Sequence, residues 1–138
     1  PPYSKDWFQT DISKLKDVQW LGSLSPKELR KQQSKSEYWI YASDYLETYC
    51  ITALEMMLQK VKIITNGTGN IKSLIDDGER GIMIDEIDPD LILEYLVGDT
   101  QSRLLSYKWN QMAENAYEWA KEQSWDNRVK EWIKLIQE

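Results

Sequence analysis

The sequence lacks histidine altogether and has a single cysteine, Cys50, among its 138 residues. The absence of histidine excludes Ser-His-Asp and Cys-His nucleophile arrangements and every histidine-containing metal site. One cysteine can form neither an intramolecular disulfide nor a zinc site built from several thiolates. Any chemistry must therefore depend on carboxylates, hydroxyls, amides, lysine and arginine, and the cysteine content fits a reducing, cytoplasmic compartment.

Basic clusters and long apolar runs are also missing. The net charge is −6 at pH 7, and no run of Lys and Arg exceeds two residues. A nucleic-acid backbone or an anionic membrane would therefore meet no basic surface, so we expect no nucleic-acid partner. No signal peptide or membrane-spanning stretch is visible in these residues, which leaves open a peripheral membrane association or an anchor elsewhere in a longer protein.

Short β-branched and aromatic runs alternate with helical signals over the first hundred residues. Strands are predicted at 18–21, Tyr38–Tyr41, Lys62–Thr65 and 81–84. Ser25, Pro26 and Glu28 have the spacing of a capping box, and Asp88-Pro89 starts a second helix in the same way. Strand alternating with helix predicts an α/β fold, with a doubly wound, Rossmann-like parallel sheet and helices on both faces.

The chain is predicted to end in long helices. After about residue 100 the strand signals stop, and apolar residues recur at helical spacing. Ser124 can cap a last helix, whose apolar side is expected to use Val129, Trp132, Ile133 and Ile136. Packing in the core is the favoured role for the Trp and Met residues of both helices.

Two glutamates, Glu47 and Glu55, flank the start of the helix after the second predicted strand, with seven residues between them. If this helix begins near Tyr49, Glu55 shares a core-facing stripe with Ile51, Leu54 and Leu58. A buried carboxylate needs hydrogen-bond donors. Its partner is either a ribose diol or a structural group such as a cap or a lysine, and helix geometry alone favours the structural partner.

Glu47 falls in the loop at the carboxyl end of a strand, where open α/β sheets bind ligands. The amides of Cys50, Ile51 and Thr52 are expected to be free at the helix N-terminus, which suits a pyrophosphate. Glu47 could accept sugar hydroxyls beside it, or it could act only as a partner of the helix dipole. The helix N-terminus could also lower the pKa of Cys50, but no base partner is visible, so a packing role is favoured.

Five motifs follow one another in order: VQWLG at 18–22, LSPKEL at 24–29, SDYLETYCI at 43–51, TGN at 68–70 and LIDDGERGI at 74–82. With the Glu-x7-Glu spacing, this set resembles the C-terminal donor domain of retaining GT-B glycosyltransferases of the group 1 type. The resemblance implies a nucleotide-sugar donor, retention of anomeric configuration, no metal or other cofactor, and a role in polysaccharide or glycoconjugate synthesis.

The resemblance also assigns roles to residues. Glu47 would contact the transferred sugar near its reacting face, as the catalytic candidate, and Glu55 would hold the nucleotide ribose. The remaining donor-binding residues would be Tyr49, Cys50, Ile51 and Thr52. A loop of Gly67, Thr68 and Gly69 would lie close to the donor sugar.

Residues 1–138 are thus expected to form a partial nucleotide-sugar-binding domain, in which 1–17 lead into the fold and 101–138 are its C-terminal helices. The Arg and Lys that clamp the diphosphate in such enzymes are missing, and so is the N-terminal acceptor domain. We therefore expect this piece alone to be inactive. The acceptor is left open as a sugar, lipid or protein, and exposed sheet edges make self-association an expectation. The alternative function is a non-catalytic nucleotide-sugar-binding or assembly module.

Overall fold

The structure of the protein, a computed structural model, describes residues 14–137. The chain divides into two compact units, Pro1–Lys31 and Gln32–Glu138. Within the described residues there are six helices and three strands. In chain order they are α1 (Pro26–Gln33), β1 (Tyr38–Tyr41), α2 (Ile51–Met57), β2 (Lys62–Thr65), α3 (Ile71–Ile75), β3 (Ile82–Met83), α4 (Pro89–Gln101), α5 (Arg103–Glu122) and α6 (Trp125–Gln137).

The three strands form one parallel sheet in the order β1-β2-β3. Tyr41 at the end of β1 pairs with Thr65 at the end of β2, and Thr65 in turn pairs with Met83 of β3. The strands therefore end together. The loops that follow β1 and β2 consequently leave the sheet side by side, at its carboxyl end.

Helices cover both faces of this sheet, as predicted. All four residues of β2 are buried, and because side chains alternate along a strand, Ile63 and Ile64 contribute to opposite faces. One core cluster contains Ile63 with Cys50, Ala53, Met57, Ile71, Leu74, Ile75, Ala116 and Ala120. The other contains Ile64 with Ile84, Ile92, Trp109 and Met112. The α/β, Rossmann-like prediction is confirmed.

The helix starts follow the predicted caps. The Ser25 amide donates to the Glu28 carboxylate at 3.0 Å, and the Glu28 amide donates back to Ser25 Oγ at 3.4 Å. Asp88 accepts from the amides of Asp90 and Leu91 at the start of α4. Local side-chain chemistry therefore fixes these boundaries.

The predicted strand at 18–21 is wrong. The structure assigns no strand there, and Val18, Trp20 and Leu21 are exposed. A strand is defined by hydrogen bonds to a neighbouring strand, and the three-stranded sheet of residues 14–137 does not include this segment. Strand propensity alone therefore did not decide its conformation.

The two long C-terminal helices differ in how much of their apolar side is buried. Helix α5 buries Trp109, Met112, Ala113, Ala116 and Ala120, which confirms core packing on its apolar side. Helix α6 buries no residue, and its predicted apolar side is exposed: Val129, Trp132, Ile133 and Ile136. Periodicity identifies the apolar side of a helix but does not say what covers it. Among the helices of residues 14–137, none combines the length and apolar character needed to span a bilayer.

Candidate functional site

The loops after β1 and β2 are tied to each other by Asn66. Its side-chain Nδ2 donates to the Ser43 carbonyl at 3.0 Å, and its Oδ1 accepts from the Ser43 amide at 3.3 Å. Further along, the Asn70 amide donates to the Glu47 carbonyl at 2.8 Å, and Glu47 forms a parallel bridge with Gly69. The structure thus brings Glu47 and the Gly67–Thr68–Gly69 loop together at the carboxyl end of the sheet.

Gly69 permits this contact because it has no side chain. Its φ is +73°, and a Cβ added there would lie 2.5 Å from the Glu47 nitrogen and 2.7 Å from the Glu47 carbonyl oxygen. Both distances are too short for any residue with a Cβ. The position of the Glu47 backbone therefore depends on glycine at position 69.

The Glu47 side chain is held by the strand that precedes its loop. Tyr41, the last residue of β1, donates its hydroxyl to Glu47 Oε1 at 2.5 Å. The Tyr41 ring stacks on Trp39, with 4.9 Å between ring centroids. The hydrogen bond to Glu47 raises the pKa of Tyr41, together with burial, so the phenol remains a donor. One carboxylate oxygen of Glu47 is thereby fixed, and the half-buried side chain presents Oε2 as an acceptor.

The predicted core-facing stripe of Ile51, Leu54, Glu55 and Leu58 is wrong except at Leu54, which is partly buried against the core. Ile51 and Leu58 are exposed, and Glu55 is only half-buried. The buried side of α2 instead carries Ala53 and Met57, with Cys50 at the N-cap. A small alanine and a flexible methionine allow this seven-residue helix to pack closely on the sheet. The prediction assumed that the face with the larger apolar side chains is buried, whereas the structure buries the neighbouring face of the helix.

Glu55 has an amide partner that the sequence did not suggest. Gln33 Nε2, at the end of α1, donates to Glu55 Oε2 at 3.0 Å. Both residues belong to the second compact unit. The structural partner of Glu55 is therefore neither a helix cap nor a lysine, and the half-buried carboxylate keeps one oxygen outside this hydrogen bond.

The N-terminus of α2 has no side-chain cap. The Ala53 amide donates to the Cys50 carbonyl at 3.0 Å, so the amides of Ile51 and Thr52 precede the first intrahelical hydrogen bond. Cys50 itself is buried, and this burial raises the pKa of its thiol. A protonated, buried thiol is a poor nucleophile, which agrees with a packing role.

The side chains of Tyr49 and Ile51 take part in a different feature. They line a cavity of about 360 Å³ together with Leu54, Gln123, Trp125, Arg128 and Trp132. Neither Glu47 nor Glu55 belongs to this lining. Tyr49 and Ile51 were predicted to bind the donor, but their side chains line this cavity beside α6, which includes neither glutamate.

Sequence reasoning missed Tyr41, Asn66 and Gln33. A signal existed for two of them, because Tyr41 ends a predicted strand and Asn66 directly follows one, and ligand sites in such sheets lie at strand ends. No comparable signal identifies Gln33. It is 22 residues from Glu55 in the sequence, so only the folded chain brings the two together.

Comparison with models of protein families identifies a family for this chain. The family model described as glycosyl transferases group 1 matches residues 9–119, well over half of the chain. The matched segment includes all three strands and both glutamates. No curated protein matches the sequence. The chain therefore belongs to the group 1 glycosyl transferases, as a domain for glycosyl transfer from a sugar donor to an acceptor.

Proposed function

We propose that this domain binds a nucleotide-activated sugar for retaining transfer to an acceptor hydroxyl, in polysaccharide or glycoconjugate synthesis. The observation that carries the proposal is the placement of Glu47. Its backbone is fixed by Gly69 and Asn70, and its carboxylate is held by Tyr41. A carboxylate fixed at the carboxyl end of a parallel sheet is well placed to accept sugar hydroxyls.

The two glutamates, the start of α2 and the glycine loop each have a role in this proposal. Glu47 orients the transferred sugar through Oε2, and Glu55 binds the ribose hydroxyls through the oxygen outside its hydrogen bond to Gln33. The amides at the start of α2, those of Cys50, Ile51 and Thr52, bind the diphosphate. The backbone of the loop that contains Thr68 closes over the donor sugar.

Transfer would proceed by departure of the nucleoside diphosphate while the acceptor hydroxyl attacks the same face of the sugar. Negative charge develops on the leaving diphosphate and needs electrostatic stabilisation. The backbone amides at the start of α2 supply part of this stabilisation. Cationic side chains outside α2 would supply the rest. We propose that no metal ion is needed in this site.

Substitution of the two glutamates is expected to have different effects on ligands with and without the transferred sugar. Glu55→Ala should weaken nucleoside diphosphates and nucleotide sugars alike, by about tenfold or more, because each loses a charge-assisted hydrogen bond to ribose. Glu47→Ala should weaken only the sugar-bearing ligands, by a similar factor. Isothermal titration of the 138-residue chain with a panel of both ligand types measures this.

Glu94→Ala is the matched control, because Glu94 is an exposed glutamate on α4. Its affinities should equal those of the unaltered chain. If Glu47→Ala weakened the nucleoside diphosphates as much as the nucleotide sugars, Glu47 would not have the proposed role. In a form that carries the acceptor domain, donor binding without release of nucleoside diphosphate would instead support the non-catalytic binding module.

Two expectations from the sequence remain proposals of their own. A cytoplasmic location is proposed on the single free cysteine, Cys50, which is buried. Self-association is proposed on the exposed apolar side of α6, which includes Trp132 and Ile136.

A further inference from the structure

Gln33 is a deeply buried polar side chain beside the candidate donor site. It is the last residue of α1, its exposed fraction is 1%, and its Nε2 donates to Glu55 Oε2 at 3.0 Å. Its Oε1 is buried too, and no hydrogen-bond donor within residues 14–137 reaches it. One end of this amide is therefore paired with a carboxylate, and the other end is unpaired.

The orientation of this amide follows from its partner. An ionised carboxylate only accepts hydrogen bonds, so the NH2 group must face Glu55 and the carbonyl must face away. An unpaired buried acceptor destabilises the folded state. An apolar side chain of the same length, such as methionine, would fill the space without this penalty. Gln33 is thus poorly explained as a packing residue, and within residues 14–137 its side chain has one hydrogen-bond partner, Glu55.

The hydrogen bond limits the freedom of the Glu55 side chain. A glutamate that is only half-buried can adopt several rotamers, and ordering it when a ligand binds lowers affinity. With Oε2 held by Gln33, the carboxylate is already ordered. An ionised carboxylate has about four lone-pair sites, so acceptors remain for two neighbouring hydroxyls.

We propose that Gln33 is a positioning residue that orders Glu55 for recognition of a ribose diol, and so sets the preference of this site for ribonucleotides over nucleotides without the diol. The inference rests on the proposed function of Glu55. Gln33 acts through the glutamate and does not itself contact the ligand.

The test compares ADP, GDP, CDP and UDP with their 2′,3′-dideoxy forms by isothermal titration against the full chain. The ratio of the two dissociation constants for the best-binding base measures recognition of the diol. Gln33→Met is expected to reduce this ratio by about two- to tenfold, because Glu55 can still accept from the diol but must first be ordered when the ligand binds. Gln32→Met, the same change at the preceding position of α1, should leave the ratio unchanged.

Two further measurements separate positioning from a structural role. The thermal midpoint of Gln33→Met should stay within a few degrees of that of the unaltered chain, because the variant loses one hydrogen bond but also loses an unpaired buried acceptor. In a Glu55→Ala background, Gln33→Met should have no additional effect on the ratio, since the residue it positions is gone.

The possible outcomes distinguish the role of Gln33 from the role of Glu55. If Gln33→Met keeps the full ratio while Glu55→Ala abolishes it, the role of Gln33 is overturned and the proposed role of Glu55 survives. If the unaltered chain shows no preference for the diol, the ribose role of Glu55 fails first, and the inference falls with it. Failure of Gln33→Met to fold would show a structural role and would also overturn the inference.

Discussion

Lys62→Met is expected to lower the free energy of unfolding by about 3–5 kcal/mol, the effect of removing one partner from a buried ion pair. Lys62, at the start of β2, is 9% exposed, and Asp99 of α4 is 4% exposed. Lys62 Nζ contacts Asp99 Oδ2 at 2.5 Å, and the Tyr38 hydroxyl also donates to that oxygen. Without Lys62, the buried carboxylate of Asp99 would keep only neutral hydroxyl donors and no positive charge beside it among the described residues.

Asp99→Leu is expected to be less damaging than Lys62→Met. Lys62 also contacts Glu37 at 3.2 Å, and the Glu37 side chain is largely exposed. The ammonium group therefore keeps a partner near water when Asp99 is removed. The double variant Lys62→Met, Asp99→Leu should recover much of the loss, because an apolar pair replaces the ion pair without leaving a buried charge.

Urea unfolding of the three variants measures these differences. Lys60→Met is the matched control, because Lys60 pairs with Glu114 at 2.6 Å between two exposed side chains. It should produce no measurable change, as is usual for exposed pairs. A double variant no more stable than Lys62→Met alone would show that the pair is not the source of the stability.

The same pair makes stability depend on pH in acid. Burial alone would raise the pKa of Asp99, but the hydrogen bonds from Lys62 and Tyr38 outweigh burial and hold the pKa below its usual value. The stability from Asp99 is therefore present above the unfolded pKa of about 3.9 and is lost as the pH falls through the lower folded pKa. Asp99→Leu should remove this part of the acid dependence.

Gly69→Ala is expected to damage the site more than any other single glycine substitution. The new Cβ would overlap the Glu47 backbone nitrogen and oxygen, so the loop that carries Glu47 must move. We expect affinity for nucleotide sugars to fall by about tenfold or more through loss of the Glu47 hydrogen bonds. Titration with a nucleotide sugar measures the fall.

Gly78→Ala provides the control for backbone conformation. Gly78 has a φ of +79°, close to the +73° of Gly69, but a Cβ there would meet nothing within 4 Å. It should lose about 1–2 kcal/mol of stability through the left-handed conformation alone and keep its donor affinity. Equal affinities for the two variants would show that contact with Glu47 is unimportant for binding.

Local patterns predicted the elements well, and partners across the fold were predicted poorly. Strands β1 and β2 were predicted with their observed bounds, because β-branched and aromatic runs act locally. The segment at 18–21 and the apolar side of α6 failed for a shared reason, since pairing and burial depend on what lies opposite. At the site, the sequence identified Glu47 and the loop of Gly69, whereas the hydrogen bond between Gln33 and Glu55 depends on tertiary structure alone.

The two core clusters share parts of the chain, and this has a consequence for cooperativity. Ile63 and Ile64 are adjacent on β2 yet belong to different clusters, and α5 gives Trp109 to one and Ala116 to the other. Neither layer can open without displacing a strand or helix that the other needs. Residues 32–122 should therefore behave as a single foldon, in which the slowest-exchanging amides of both layers report one global opening.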